Sequence, residues 1–110
     1  MSNPYTYVPD LLKEIQVPEN GTLSRTLYND DKVKVLVFGF APGQELSAHT
    51  APMPATLYFA QGEAEVTLGE EKMNASAGTF VYMAPQLTHG ILAKTATIML
   101  LTMVKSARVS

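Results

Sequence analysis

Cysteine is absent from this chain of 110 residues, so disulfides, zinc–thiolate sites, iron–sulfur clusters and thiol nucleophiles are all excluded. Charged residues are also scarce, at 16% against a typical ~25%. With 46% hydrophobic residues, the composition is that of a folded protein and not of a disordered one. The formal net charge of −2 gives no attraction to nucleic acid or to anionic lipid, and we expect neither as a partner.

Long apolar tracts are missing as well. No stretch approaches the ~20 apolar residues of a membrane-spanning helix. The first residues, Met1–Tyr5, lack the basic start and the apolar run of a signal peptide. We therefore expect a cytoplasmic protein that makes no membrane contact.

Short apolar runs separated by turn residues are what the chain does have, and this pattern is typical of a β-sandwich or barrel. Glu63–Leu68 shows it most clearly, because polar and apolar residues alternate there with the period of a strand. Other strands are predicted at Leu23–Tyr28, Val33–Phe40, Thr56–Ala60, Lys72–Ser76, Thr79–Met83, Gly90–Ala93 and Thr97–Val104. Pro9–Gln16 is predicted to form a short helix or a turn that packs on the sheet. The fold class is all-β, with about six to eight strands.

Two of the predicted strands, Val33–Phe40 and Thr97–Val104, are apolar on both faces. An exposed strand face would be polar, so each of these strands must be covered twice. The domain's interior provides one cover. A second subunit is the favoured source of the other, which predicts a homodimer through the outer sheet face. The alternative is that the N-terminal segment folds over this face.

Both histidines lie in stretches without acidic or basic residues. His49 lies between Glu45 and Glu63, and His89 lies between Lys72 and Lys94. The two could converge in a small barrel, although two isolated histidines in the core or at the rim are the commoner case.

The spacing around these histidines resembles that of the cupin superfamily. The first cupin motif contains glycine, two histidines, glutamate and glycine, and those positions hold, without insertion or deletion, Gly43, His49, Ala51, Ala55 and Gly62. The glycine, proline, glycine, histidine and asparagine of the second motif correspond to Gly78, Ala84, Gln86, His89 and Ala93, with the proline displaced to Pro85. The resemblance covers about Val33 to Val104. It implies a single-domain jelly-roll β-barrel at 33–104. The residues on either side are predicted from their own pattern to form an N-terminal arm with an early strand at 1–32 and a polar C-terminal tail at 105–110.

The departures from the motif bear on the function that the resemblance implies. Four motif positions hold the metal ion in metal-binding cupins, and they correspond here to His49, Ala51, Ala55 and His89. Two of the four positions hold alanine, so half of the ligand set is missing. Transition-metal sites normally take at least three protein ligands. Glu45 is the nearest carboxylate, and strand alternation would place it on the same face as His49.

Three interpretations of the histidine pair remain open. His49 and His89 could hold a divalent transition metal weakly, with water completing the coordination. They could instead form hydrogen bonds with a small organic ligand in a metal-free pocket. They could also be a purely structural pair.

The small-molecule interpretation is the leading one. Its predicted pocket is lined by His49, Ala51, Met53, Ala55, Leu57, Phe59, Met83 and His89. The alternatives are a metal-dependent enzyme of the oxygenase or isomerase type and a non-catalytic accessory or sensing protein. The sequence identifies neither a ligand nor a catalytic residue.

Overall fold

Two antiparallel sheets form the protein in the computed structural model, which describes residues 4–105. Within that range there are nine strands: β1 (Thr22–Asn29), β2 (Val33–Phe40), β3 (Glu45–His49), β4 (Ala55–Gln61), β5 (Ala64–Leu68), β6 (Glu71–Ala75), β7 (Phe80–Met83), β8 (His89–Ala93) and β9 (Thr97–Val104). One sheet has the order β1-β2-β9-β4-β7 and the other has the order β3-β8-β5-β6. The all-β prediction is confirmed.

The core lies between the sheets and is built from alternate residues of their strands. Leu57, Phe59 and Met99 contribute from the five-stranded sheet, while Val66 and Ile91 contribute from the four-stranded one. All five are at least 97% buried. Each is separated from the next inward residue of its strand by one residue that faces outward, which is the period-two pattern expected of strands.

The outer face of the five-stranded sheet is covered in part by the N-terminal segment. A Cβ atom placed on Gly39 of β2 would lie 3.3 Å from the Cα atom of Val17. Val37 and Ile98, which point outward beside Gly39, are only 0% and 3% exposed. The N-terminal segment therefore provides the second cover at this end of the sheet.

The other end of the same outer face keeps three exposed aromatic side chains. Tyr58 of β4 is 40% exposed, and Phe80 and Tyr82 of β7 are 63% and 59% exposed. Tyr58 lies directly opposite Phe80, and Tyr82 lies opposite Thr56, so the three rings share one face. We call these three residues the aromatic patch.

The number of strands differs from the sequence prediction, whereas the N-terminal segment takes one of its two predicted forms, a turn. The N-terminal segment forms only a short 3-10 turn, Leu11–Lys13, in which the side chain of Asp10 accepts a hydrogen bond from the Leu12 amide. Nine strands replace the predicted six to eight, and the strand that was not predicted is β3. No helix within residues 4–105 is long and apolar enough to cross a membrane.

Candidate functional site

His49 and His89 meet at the end of the four-stranded sheet. They are direct partners in the antiparallel pairing of β3 with β8. Their ring centroids are 4.4 Å apart and the ring planes are tilted by 55°. His89 is half-buried and His49 is exposed. The convergence that the spacing suggested is therefore present in the fold.

Each imidazole is oriented by a backbone carbonyl two residues earlier in the chain. Nδ1 of His49 donates to the Ser47 oxygen at 2.8 Å, and Nδ1 of His89 donates to the Leu87 oxygen at 2.9 Å. A carbonyl only accepts, so the proton of each neutral ring resides on Nδ1. Nε2 of each ring then keeps its lone pair for a ligand.

An irregularity in β3 determines which side chains share the face of His49. The register of β3 against β8 shifts between Leu46 and His49. Gly90 accommodates the shift, because a Cβ atom there would lie 3.1 Å from both the Ala48 nitrogen and the Leu46 oxygen. The extra residue reverses the alternation, and His49 borders the same cavity as Leu46. The prediction that Glu45 shares the face of His49 is therefore wrong.

The histidine pair lies between two small cavities inside the barrel. One cavity, of about 190 Å³, lies at the end of the barrel where β9 finishes, and we call it the outer cavity. The other, of about 210 Å³, lies deeper between the sheets, and we call it the inner cavity. His49, His89 and Leu101 border both cavities. The walls are mainly apolar, with the two imidazoles as the polar groups common to both.

Seven of the eight predicted pocket residues line one cavity or both. The outer cavity is bordered by His49, Ala51, Met53, Ala55, Met83 and His89. Leu57 borders only the inner cavity. Phe59 borders neither, since it lies further along β4 and is fully buried in the core. Phe59 does face the interior, but its position in the motif frame does not indicate how deep along the barrel it lies.

The prediction missed the contribution of β9 to the walls. Leu101 and Met103 border the outer cavity, and so does Lys105, which follows the end of the strand. The signal was present in the sequence, because Lys105 continues the inward series of Met99, Leu101 and Met103. Its polar side chain instead predicts a place in the C-terminal tail; the rest of that predicted tail, residues 106–110, lies outside the described residues.

Comparison with known proteins identifies the family of this fold. The family model described as Cupin domain matches residues 36–105, which include both histidines and both cavities. The chain belongs to the cupin family. No curated protein matches the chain.

Solved structures similar to this cupin cover between 81% and 96% of its length. A conserved protein of unknown function from Streptococcus pyogenes is 30% identical, with a TM-score of 0.85 over 96% of this chain and 93% of that one. A cupin superfamily protein from Desulfitobacterium hafniense is 26% identical, with a TM-score of 0.84 over 92% and 93%. An RmlC-like cupin from Shewanella frigidimarina is 20% identical, with a TM-score of 0.76 over 81% and 80%, which supports the fold alone.

The donor set of this cupin does not fit a transition-metal site of the usual kind. Two nitrogen ligands are available, and each ring is oriented by a carbonyl as metal-binding histidines often are. The remaining motif positions, Ala51 and Ala55, have methyl side chains. Among residues 4–105, no group of three or more His, Cys, Asp or Glu side chains is arranged to hold a metal ion. Zinc sites normally use at least three protein ligands, so this set is incomplete.

Proposed function

We propose that this cupin binds a small, mainly apolar organic molecule between its sheets, and that His49 and His89 are the polar groups that orient it. The observation that carries the proposal is the position of the pair. Both rings border two apolar cavities, and each has one nitrogen fixed by a carbonyl and the other available. Apolar walls with a few convergent polar groups are typical of small-molecule sites.

The alanines at the two motif positions support the same proposal. Ala51 and Ala55 both border the outer cavity, where the family motif has histidine and glutamate. The smaller side chains leave space and remove charge. An apolar protein cavity of about 150 Å³ can hold benzene. The outer cavity, at about 190 Å³, is therefore large enough for a single aromatic ring.

Ligand-observed NMR with benzyl alcohol tests the proposal. We expect saturation transfer from the wild-type protein to the benzyl alcohol ring. Ala51→Phe fills the outer cavity and should abolish the transfer. The matched control is Ala77→Phe, which adds the same side chain at an exposed turn position that borders neither cavity. No transfer from wild type, or equal transfer from Ala51→Phe, would contradict the proposal.

Measurements of metal content and zinc binding distinguish the proposed ligand-binding site from the alternative, a metal-dependent enzyme. We expect elemental analysis and zinc titration of the wild type to give well below one ion per chain. The double variant Ala51→His, Ala55→Glu completes the family's ligand set and should bind zinc, which makes it the positive control. Near-stoichiometric metal in wild type that disappears in His49→Ala would overturn the metal-free site.

We also infer that a second copy of the chain covers the aromatic patch. The patch is contiguous across β4 and β7, and neither strand contains a charged residue. Two such patches can meet around a twofold axis without like-charge repulsion. Exposed contiguous apolar surface of this kind is typical of interaction sites.

A further inference from the structure

We infer that the ligand of the outer cavity is a monocarboxylate, with its apolar body between the sheets and its carboxylate held by Lys105. This inference rests on the proposed function and adds the chemical class of the ligand. It starts from the charges around the cavity. Lys105 is the one residue with a full charge among those that border it, and no acidic side chain does so within the described part of the chain.

Lys105 is held in place by three hydrogen bonds to the turn between β1 and β2. Its amide donates to the Lys32 oxygen at 2.7 Å. Its Nζ atom donates to the Asn29 side-chain oxygen at 2.9 Å and to the Asp30 backbone oxygen at 2.7 Å. A lysine that is already positioned loses less conformational entropy when it binds a ligand than a freely rotating one.

These contacts give Lys105 no direct ion pair, although its ammonium group and the nearby Asp30 carboxylate attract each other through space, which is the smallest of the causes that lower the pKa of Asp30. Both oxygens that accept from Nζ are uncharged, one from an amide side chain and one from the backbone. The ion pairs among residues 4–105 join Lys13 to Asp10, Arg25 to Glu14 and Lys72 to Glu65, so Lys105 is in none of them. An ammonium group has three N–H donors, and one of them remains for an anion.

The positions of the residues that border the two cavities determine the orientation of the bound ligand. Lys105 borders the outer cavity only, the histidines border both cavities, and Phe38 and Leu57 border the inner cavity only. A carboxylate beside Lys105 therefore leaves the apolar part of the molecule to extend toward the histidine pair. A ligand with an ammonium group would meet a like charge at this end of the barrel, and no carboxylate borders the cavity to compensate.

Chemical-shift titrations with three ligands of the same ring size test the inference: benzoate, benzyl alcohol and benzylamine. In wild type we expect benzoate to bind about tenfold more tightly than benzyl alcohol, as one charge-assisted hydrogen bond would give, and benzylamine to bind most weakly. Lys105→Met should remove the preference for benzoate and leave benzyl alcohol binding unchanged. That second result also verifies that the cavity of the variant is intact.

The matched control is Lys94→Met. Nζ of Lys94 also donates to an asparagine side chain, Asn74, at 2.9 Å, but Lys94 does not border the outer cavity. Its substitution should leave the benzoate preference as in wild type.

The outcomes separate this inference from the proposed function. If benzyl alcohol binds wild type as tightly as benzoate, the inference fails and the small-molecule site remains. If none of the three ligands binds, the proposed function fails as well. If Lys105→Met fails to fold, the salt dependence of ligand affinity in the wild-type protein tests the inference instead. Benzoate affinity must fall with added salt while benzyl alcohol affinity stays constant, and equal behaviour of the two would overturn the inference.

Discussion

Asp30 organises the turn to which Lys105 is attached. Its carboxylate accepts from the Tyr28 hydroxyl at 2.6 Å and from the amides of Lys32 and Val33 at 2.7 and 2.8 Å. These hydrogen bonds, that of Tyr28 above all, lower the pKa of Asp30 from 3.8 to about 2. The same contact raises the pKa of Tyr28. The charged carboxylate is thus the form that the folded turn favours.

This shift predicts a pH-dependent contribution of Asp30 to stability. A carboxyl with a lower pKa in the folded state stabilises the protein above its unfolded pKa, and the contribution is lost as the pH falls toward the folded pKa. We expect wild type to melt at a higher temperature than Asp30→Asn above about pH 5, and the difference to shrink as the pH falls from 3.8 to about 2. Thermal unfolding followed by circular dichroism at a series of pH values measures it.

Asp31→Asn is the control, since the Asp31 side chain makes no hydrogen bond to any of the described residues. The melting difference between this variant and wild type should vary less with pH over the same range. A constant difference for Asp30→Asn from neutral pH to pH 2 would contradict the lowered pKa of Asp30 in the folded turn.

Which residues face the site was predictable from the sequence, whereas what holds them there was not. The motif spacing predicts that His49 lies near His89, and the resemblance to cupins places Ala55 and Met83 in the same pocket, as the structure has them. The hydrogen bonds of Lys105 join residues 75 and 76 positions apart in the chain, and no local pattern reveals such contacts.

The strand β3 shows why one element escaped prediction. It is an edge strand of five residues, of which Leu46 is half-buried and the other four are exposed. Its sequence therefore shows neither an apolar run nor a clean alternation of polar and apolar residues. Its register shift at His49 depends on the close approach of the Gly90 backbone. Strands buried on one or both faces, such as β2, β5 and β9, were found close to their observed bounds because burial gives them a sequence signal.

The N-terminal segment should be displaced by adding bulk at Gly39. A methyl group there is 3.3 Å from the Val17 Cα atom and 3.6 Å from the Gln16 oxygen, so the segment must move slightly for Gly39→Ala and much further for Gly39→Leu. We expect trypsin to cleave after Lys13 at increasing rates from wild type to Ala to Leu. Mass spectrometry of the early fragments measures the rates. Equal rates in all three proteins would show that Gly39 does not hold the segment.

The aromatic patch determines how the cupin assembles, if a second copy covers it as we infer. Static light scattering should then give twice the monomer mass for wild type. Phe80→Glu with Tyr82→Glu places charges in the patch and should give a monomer that keeps its fold. Met73→Glu is the control, because Met73 is a 45% exposed residue of β6 in the other sheet. A monomeric wild type at micromolar concentration would exclude the dimer.

The most direct test of ligand binding between the sheets uses the methionines as reporters. Met53, Met83 and Met103 border the outer cavity, while Met73 is exposed on β6 and borders neither cavity. In a sample with carbon-13-labelled methionine methyl groups, added benzyl alcohol should shift the resonances of the three cavity methionines and leave that of Met73 in place. Unchanged cavity resonances, or a shift of Met73 as large as theirs, would contradict a small-molecule site in this cupin.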